Sequence, residues 1–547
     1  MNEQTSDNSF DFIIVGAGTA GCVLANRLSE DSRNRVCLIE AGDKDSHPFI
    51  HVPALVGAAL TLPQYGWGLD TVPQEHLSGR RIPIPRGRVL GGSSSVNGMV
   101  YFRGHPHDYD DWAAMGNTGW SYADVLPYFL RSEDNEQYPG SPYHGHSGPM
   151  HVSDIKNPNP LNAVFAAAMS SLQFRHQSDF NGADPEGYGL RQGAIKDGRR
   201  VSGTTAFLNP ALNRPNLKVI TGAVVARVVL EGKRATGVEI LLGPEKQTIN
   251  ATREVVLSGG AIGSPQILLL SGIGDPASLR RIGIAPAHEL PTVGQSYHDH
   301  IAANVQMWSQ NPESYGVSLK SLPRGAWNIL EYLTSRTGPF ASNVFESHAI
   351  VKSTAGLDRP DLQVVFQPAR RNQGPFPLPL GHGFAISVVL LYPKSRGRLT
   401  LSSSDPRAIP LIDPKLMSAP EDFDPIVRGL KLARRIFASA AFAPYQASEF
   451  LPGPNVKDDD EQLKEYIRKT SATTHHPCGS CKMGADDGAT VTPELKVKGI
   501  EGLRVADASI FPMLIGGNTN APVVMVAEKA SDMILGKPPP PAVHLPH

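Results

Sequence analysis

The sequence predicts an α/β protein of two packed lobes, one of which begins with a βαβ unit. The chain has 547 residues, more than the roughly 250–300 at which a single hydrophobic core stops growing. Near its start, the apolar run DFIIV (11–15) reads as a buried strand and passes directly into the turn GAGTAG (16–21), which a helical pattern follows. A strand, a glycine-rich turn and a helix in this order are typical of the start of a βαβ unit.

The glycine-rich turn is typical of a dinucleotide site. Gly16 makes the tight turn, Gly18 lets the backbone approach a pyrophosphate, and Gly21 lets the helix pack on the strand. The helix start at Thr19 and Ala20 offers free N–H groups and a partial positive charge to the phosphates. This unit alone does not decide between NAD and FAD, and an ordinary βαβ unit with a glycine turn is the simpler alternative.

A second predicted strand, VCLI (36–39), ends at Glu40, nineteen residues after Gly21. A carboxylate at this distance is placed to accept hydrogen bonds from a ribose diol, and its charge would repel a 2′-phosphate. Glu40 and the adjacent Ala41 are therefore candidate cofactor contacts.

The composition argues against several classes of partner. The net charge of −1 disfavours nucleic acid and anionic membrane surfaces, which bind basic proteins. No apolar run approaches the roughly 18 residues of a membrane span, and the polar start MNEQTSDNSF lacks the apolar core of a secretion signal. Only four cysteines occur, which fits a reducing compartment, so we expect a cytoplasmic protein without a membrane span.

A second glycine-rich segment, RGRVLGGSSSVNG (86–98), could by composition be a flexible surface loop. Its extended form GRVLGGSSSVNGMVYFRG, however, resembles the first signature of the glucose-methanol-choline (GMC) oxidoreductase family. SGGAIGSPQILLLSGIG (258–274) resembles the second signature. Three further segments of this chain resemble the C-terminal blocks of the family, namely HPCGSCKMG (476–484), RVADASIFP (504–512) and GGNTNAPVVMVAEKASDMI (516–534).

This resemblance implies an α/β protein, α+β overall, with a doubly wound Rossmann-like FAD-binding domain. The second domain would bind substrate through a mostly antiparallel sheet backed by helices. We expect the discontinuous FAD-binding domain in residues 1–155, 205–300 and 470–547, and the substrate-binding domain in 156–204 and 301–469. Some relatives carry a histidine in the 87–100 loop that bonds to the flavin. Val96 stands there in this chain and has no nucleophilic atom, so the resemblance implies noncovalent FAD.

Further cofactor contacts follow from the same resemblance. Asn97 and Gly98 would lie near the flavin ring, Asp507 near the ribityl and pyrophosphate groups, and Val225 would hold the adenine through its backbone. The remaining implied contacts are Arg88, Gly91, Gly92, Ser93, Met99, Val100, Ala508, Asn518 and Thr519.

The C-terminal blocks carry the expected chemistry, oxidation of an alcohol to an aldehyde or ketone by hydride transfer to flavin N5. The hydroxyl proton needs a base, and a histidine with an ordinary pKa of about 6.5 is neutral near pH 7. Within THHP (474–477) the resemblance selects His476 as this base and leaves His475 to shape the pocket. It places Asn518 as a hydrogen-bond donor to the substrate oxygen.

The resemblance leaves the reaction partly open. The electron acceptor would be O2 or a quinone- or dye-type acceptor, and the CKMG form narrowly favours a dehydrogenase over an oxidase. The alternative function is that of a non-redox, flavin-containing lyase of the same fold, similar to hydroxynitrile lyases.

Apolar residues at helical spacing from Val523 to Met533, with Gly536 beyond them, predict a C-terminal helix. By resemblance, its positive N-terminal end points at the N1–C2=O edge of the flavin. The pair Cys478 and Cys481 forms CGSC, for which buried structural thiols are favoured over redox chemistry or a metal site.

The substrate side carries weaker signals. Alternation predicts strands of one sheet at 362–366 and 384–391, together with the stretch 395–401. Phe345, Phe366 and Phe376 are candidate pocket residues, although core packing explains Phe366 equally well. The lack of clustered charge indicates a neutral aromatic or aliphatic alcohol.

Overall fold

The computed structural model describes residues 8–370 and 380–546. Two large sheets organise this part of the chain, and each has seven strands. Phe376 lies outside the described residues, so its assignment to the pocket stays a prediction.

The first sheet contains the predicted glycine-turn unit. Strand Ser9–Val15 lies between Val36–Ile39 and Glu245–Leu257 and pairs in parallel with both. The helix Thr19–Leu28 follows the turn and is buried along most of its length. The other strands of this sheet are Leu217–Ile220, Ala223–Glu231, Arg234–Leu242 and Leu503–Val505.

The second sheet is antiparallel throughout. In spatial order its main path runs through Ser448–Leu451, Ile301–Ser309, His382–Leu390, Leu362–Gln367, Ser347–Val351 and Gly187–Leu190, and Ala472–Thr473 pairs beside Ile301–Ser309. The helix Phe423–Phe437 packs on one face of this sheet and closes a core of apolar side chains. Side chains on the opposite face of this sheet line the cavity that is described below.

The remaining elements connect and cover the two sheets. The other α-helices are Pro48–His51, Val56–Thr61, Pro106–Ala114, Tyr122–Ser132, Leu161–Ser171, Asn209–Ala211, Gly260–Leu270, Pro276–Arg281, Leu322–Ser335, Asp460–Thr470 and Asn520–Leu535. A three-stranded sheet is formed by Glu133–Asn135, Met150–Asp154 and Gln192–Gly193. Four two-stranded ribbons pair Leu69–Asp70 with Pro83–Ile84, Ile195–Lys196 with Arg199–Arg200, Ile273–Gly274 with His288–Glu289, and Arg398–Thr400 with Leu411–Asp413.

The structure confirms the C-terminal helix and corrects one strand assignment. The helix ends at Leu535, and Gly536 follows in the left-handed conformation with φ 65°, the usual way a helix stops at glycine. The segment 395–401 was expected in the same sheet as 362–366. Only Arg398–Thr400 is extended, and it pairs with Leu411–Asp413 in a separate ribbon. Across the two described ranges, no helix has the length and apolar character needed to cross a bilayer.

Candidate active site

A cavity of about 740 Å³ extends from the glycine-rich turn to the second sheet. Its volume lies in the upper part of the usual range for ligand and cofactor sites, about 300–1,000 Å³. Most of the residues predicted for the site line it, and they come from segments far apart in the chain. These residues are Gly16, Gly18, Thr19, Ala20, Glu40, Ala41, Arg88, Gly92, Ser93, Asn97, Gly98, Met99, Val100, Val225, Phe345, His475, His476, Asp507, Ala508, Asn518 and Thr519.

The three glycines of the turn differ in what surrounds them. A Cβ on Gly16 would lie 2.7 Å from the Ser258 carbonyl oxygen, and one on Gly21 would lie 1.9 Å from the Gly16 oxygen. A Cβ on Gly18 would meet nothing closer than 3.9 Å, and Gly18 lines the cavity. The backbone at Gly18 is thus open to a ligand, as a pyrophosphate at a helix N-terminus requires.

Glu40 is buried at the end of its strand. Its two carboxylate oxygens accept hydrogen bonds from the N–H groups of Ala17 and Gly42, each at 2.9 Å. Burial raises the pKa of this carboxyl to about 7. The side chain also lines the cavity, so a ribose hydroxyl has access to it.

The second glycine-rich loop packs against the first. A Cβ on Gly92 would lie 2.7 Å from the Gly18 Cα, so only glycine permits this approach. Asn97 accepts a hydrogen bond from Arg200 at 2.8 Å. The buried Val96 side chain faces the cavity, while Gly91, also predicted as a cofactor contact, does not line it. The Gly91 backbone N–H instead donates to the Ala17 carbonyl at 2.8 Å, joining the two loops.

The predicted base is the middle member of a chain of three hydrogen-bonding side chains. His476 Nε2 lies 3.1 Å from Asn518 Nδ2, and His476 Nδ1 lies 3.0 Å from His300 Nδ1. His300 Nε2 in turn lies 3.0 Å from the carbonyl oxygen of Leu391. The His476 backbone N–H donates to Asp299 Oδ1 at 2.7 Å.

These contacts determine which nitrogen of each imidazole ring carries the proton. The Leu391 carbonyl can only accept, so His300 carries its proton on Nε2. Burial lowers the pKa of His300 to about 4, hence the ring is neutral and its Nδ1 is an acceptor. His476 must then donate from Nδ1. Burial, reinforced by His300 and Arg86, lowers the pKa of His476 well below its ordinary value, so Nε2 is unprotonated and faces Asn518.

Several polar groups along the cavity have no hydrogen-bond partner within the part of the chain that the structure describes. The buried Oδ1 of Asn518 has no partner among the described residues, and neither does the buried Nε of Arg88. The helix Asn520–Leu535 begins here without a side-chain cap, so its first N–H groups are available. These features, with the open backbone at Gly18, fit a large polar ligand such as FAD lying along the cavity.

Alternation along the strands of the second sheet divides its side chains between core and cavity. In Leu362–Gln367, Gln363, Val365 and Gln367 line the cavity. Phe366 points to the opposite face, is 0% exposed, and stacks on Phe165 with ring centroids 5.0 Å apart. The expectation that Phe366 lines the pocket is therefore wrong, because successive side chains of a strand face opposite sides.

The same alternation recurs in the neighbouring strand His382–Leu390. Ser387 and Val389 line the cavity, whereas Ile386 and Val388 lie in the core. Together with the glutamines of Leu362–Gln367, these residues form a mixed polar and apolar wall. Phe345, one of the predicted pocket residues, also lines the cavity.

The CGSC cysteines lie outside the cavity lining. Both are 0% exposed, neither is disulfide-bonded, and burial raises both pKa values far above the ordinary thiol range. No group of three metal-ligating side chains occurs within the described ranges. The two thiols are thus protonated core groups.

Comparison with known proteins bears on the whole chain. Residues 10–302 match the N-terminal domain of the GMC oxidoreductases and residues 393–527 match the C-terminal domain. An "alcohol dehydrogenase [acceptor]" of Pseudomonas putida is 42% identical over 530 residues, covering 96% of each chain. An "oxygen-dependent choline dehydrogenase" of Brucella ovis is 44% identical over 531 residues, covering 97% of this chain and 96% of the relative. The solved structure of an FAD-dependent oxidoreductase from Chaetomium thermophilum has a TM-score of 0.87, at 27% identity and with 96% and 99% of the two chains covered.

Proposed function

Since this chain belongs to the GMC oxidoreductase family and is an FAD-dependent oxidoreductase acting on CH–OH donors, we propose that His476 is its catalytic base and Asn518 its substrate-orienting amide. When bound, FAD supplies the acceptor for the hydride that leaves the alcohol carbon. The observation that supports the proposal best is the hydrogen-bond chain from Leu391 through His300 to His476. The lyase alternative is not favoured, because the close relatives are alcohol and choline dehydrogenases.

The hydrogen-bond chain prepares His476 for proton removal. It holds the proton of the neutral ring on Nδ1 and leaves Nε2 as an acceptor, which faces the Asn518 amide nitrogen at 3.1 Å. An alcohol hydroxyl beside Nε2 can donate its proton there, which makes departure of the hydride from carbon favourable. The amide of Asn518, 3.1 Å from the same nitrogen, donates to the alcohol oxygen and orients it. An amide is not basic at neutral pH, so the base of this pair is the histidine.

The cofactor contacts are part of the same proposal. The glycine turn would hold the pyrophosphate, Glu40 the ribose, and the start of helix Asn520–Leu535 would face the flavin edge. A helix N-terminus favours negative charge by up to about 2 kcal/mol in partly buried positions. FAD would be held noncovalently, since the side chain at Val96 has no nucleophilic atom.

The electron acceptor and the cell compartment are also part of the proposal. Electrons would pass from the reduced cofactor to a quinone- or dye-type acceptor or to O2, and the cell compartment would be the cytoplasm. The second assignment is supported by the four cysteines, all buried and free.

The decisive experiment is anaerobic single-turnover reduction of the flavin by an alcohol panel, with His476→Ala beside the wild type. Loss of a positioned general base costs about 10²–10⁴-fold, so the variant should retain FAD but bleach that much more slowly. His475→Ala is the matched control, since His475 is adjacent and lines the cavity but has no part in the hydrogen-bond chain described above. It should change mainly which alcohols are accepted. Equal reduction rates in wild type and His476→Ala would remove the proposed base, and a flavin that no alcohol bleaches would favour the lyase.

A further inference from the structure

An arginine without a counter-ion lies in the wall of the cavity. Arg191 follows strand Gly187–Leu190, and its backbone N–H donates to the Glu346 carbonyl at 2.8 Å. The side chain is only 4% exposed and lines the cavity. Its Nε and Nη2 are buried without a hydrogen-bond partner, and it forms no ion pair with any residue in 8–370 or 380–546.

Another buried arginine in this region shows the contrast. Arg200 is 3% exposed, but its guanidinium donates to the carbonyls of Ile50 and Ser94 and to Asn97. Neighbouring oxygen atoms thus accept from its Nε and Nη1, and only Nη2 is buried without a partner in the described ranges. Arg191 has no comparable contact, although a buried, unpaired guanidinium is strongly unfavourable. A partner from outside the chain would satisfy it.

The charges around the cavity indicate the sign of that partner. The acidic lining residues are Glu40 and Asp507, and both accept backbone N–H groups at the nucleotide end. On the wall formed by the second sheet, the lining groups are neutral apart from Arg191. A cationic substrate would therefore meet a buried positive charge there without a carboxylate to balance it.

From these observations we propose that the substrate is an alcohol that carries a carboxylate, which Arg191 binds inside the cavity. This inference rests on the proposed alcohol oxidation and specifies its substrate class. A guanidinium binds a carboxylate through two parallel N–H···O bonds, and no oxygen atom of the described residues accepts from Nε or Nη2 of Arg191. Gln363, Gln367 and Ser387 can hydrogen-bond other polar atoms of the substrate. This substrate class differs from the neutral alcohol predicted from the sequence. The sequence did not reveal Arg191, because it is one of 51 lysines and arginines and lies in no recognisable motif.

The test compares matched alcohols in anaerobic flavin reduction of the FAD-loaded enzyme. The pairs are 4-(hydroxymethyl)benzoate against benzyl alcohol and 6-hydroxyhexanoate against 1-hexanol, with choline as the cationic probe. We expect the second-order rate of reduction to be highest for the carboxylates and lowest for choline. Arg191→Met should reduce the ratio of acid to neutral alcohol by about 10- to 150-fold, the usual value of a hydrogen-bonded charge, and Arg191→Lys should restore part of it. Arg175→Met, which removes a surface charge paired with Asp184, should leave the ratio unchanged.

A binding measurement separates this inference from the proposed function. Benzoate should perturb the absorbance of the bound flavin in the wild type and bind at least tenfold more weakly to Arg191→Met, whether or not any alcohol is oxidised. A wild type that prefers neutral alcohols, or an Arg191→Met variant that keeps the wild-type ratio, would overturn the inference and leave alcohol oxidation standing. Loss of FAD from Arg191→Met would also overturn it, since Arg191 would then belong to the cofactor site. Failure of every alcohol to bleach the flavin would overturn the proposed function instead.

Discussion

Replacing His300 by leucine removes the acceptor that holds the proton of His476 on Nδ1. The two rings meet at 3.0 Å through their Nδ1 atoms, and leucine fills a similar volume without a polar atom. Once the bond is lost, His476 can carry its proton on Nε2, where it no longer serves as a base. His300→Leu should therefore slow proton removal while His476 itself is intact.

The magnitude follows from the one hydrogen bond that is lost. A neutral hydrogen bond contributes about 0.5–1.5 kcal/mol, and 1.36 kcal/mol is a factor of ten, so flavin reduction should slow by about 2- to 13-fold. The hydroxyl of Thr474, 3.1 Å from His476 Nδ1, can accept the same proton and keeps the loss below that of removing the base.

The assay is anaerobic stopped-flow reduction at saturating alcohol, with His300→Asn as the matched variant. The Oδ1 of asparagine can accept from His476 at the position of the lost ring nitrogen. Both substitutions sacrifice the Nε2–H bond to Leu391, so their effects on stability are similar. Asparagine should restore most of the rate that leucine loses. If the two variants reduce the flavin equally fast, or if His300→Leu matches the wild type, then His300 does not control the tautomer of His476.

Three further predictions concern the cofactor and the pH profile. Acid precipitation should release all FAD into the supernatant, because Val96 cannot bond to it, and flavin left in the pellet would contradict this. Gly18→Val should fold, since the new side chain points into open space. The purified variant should nevertheless be nearly colourless, as judged by flavin absorbance. If it bound stoichiometric FAD, the placement of the phosphates at Gly18 would be refuted. Because burial lowers the pKa of His476, flavin reduction should stay on its plateau at pH 6.5 and fall only at lower pH. An ordinary histidine would be half protonated at about pH 6.5, so a half-maximal rate at that pH would contradict the lowered pKa. Burial raises the pKa of Asp299 to about 7. A step in the rate near pH 7 that disappears in Asp299→Asn would therefore be due to Asp299.

The sequence correctly predicted those elements that are determined by residues close together in the chain. The glycine turn and the C-terminal helix each have their start and stop residues within a few positions, and both form as expected. Pairing between distant strands has no such signal. Alternation marks 395–401 as extended, but the partner of Arg398–Thr400 is decided by the packing of Leu411–Asp413 beside it.

The candidate site shows the same division. His476 and Asn518 lie in recognisable blocks, whereas His300 is 176 residues from His476 and lies in no block used for the prediction. Arg191 was missed for a related reason, since only the folded cavity reveals that it has no partner. Phe366 could have been placed correctly, because Gln363 and Gln367 share a strand face that Phe366 does not.

The helix Asn520–Leu535 packs on Thr19–Leu28, with Thr19 donating to Asn520 at 2.8 Å and Arg27 paired with Glu528. These partners are separated by 501 positions, which a ribosome adding about 5–20 residues per second takes roughly 25–100 s to cover. The glycine turn is therefore synthesised well before the helix that covers it. We expect FAD to be taken up only after Asn520–Leu535 has been synthesised, so that cells short of flavin would accumulate protein in which both helices are sensitive to proteases.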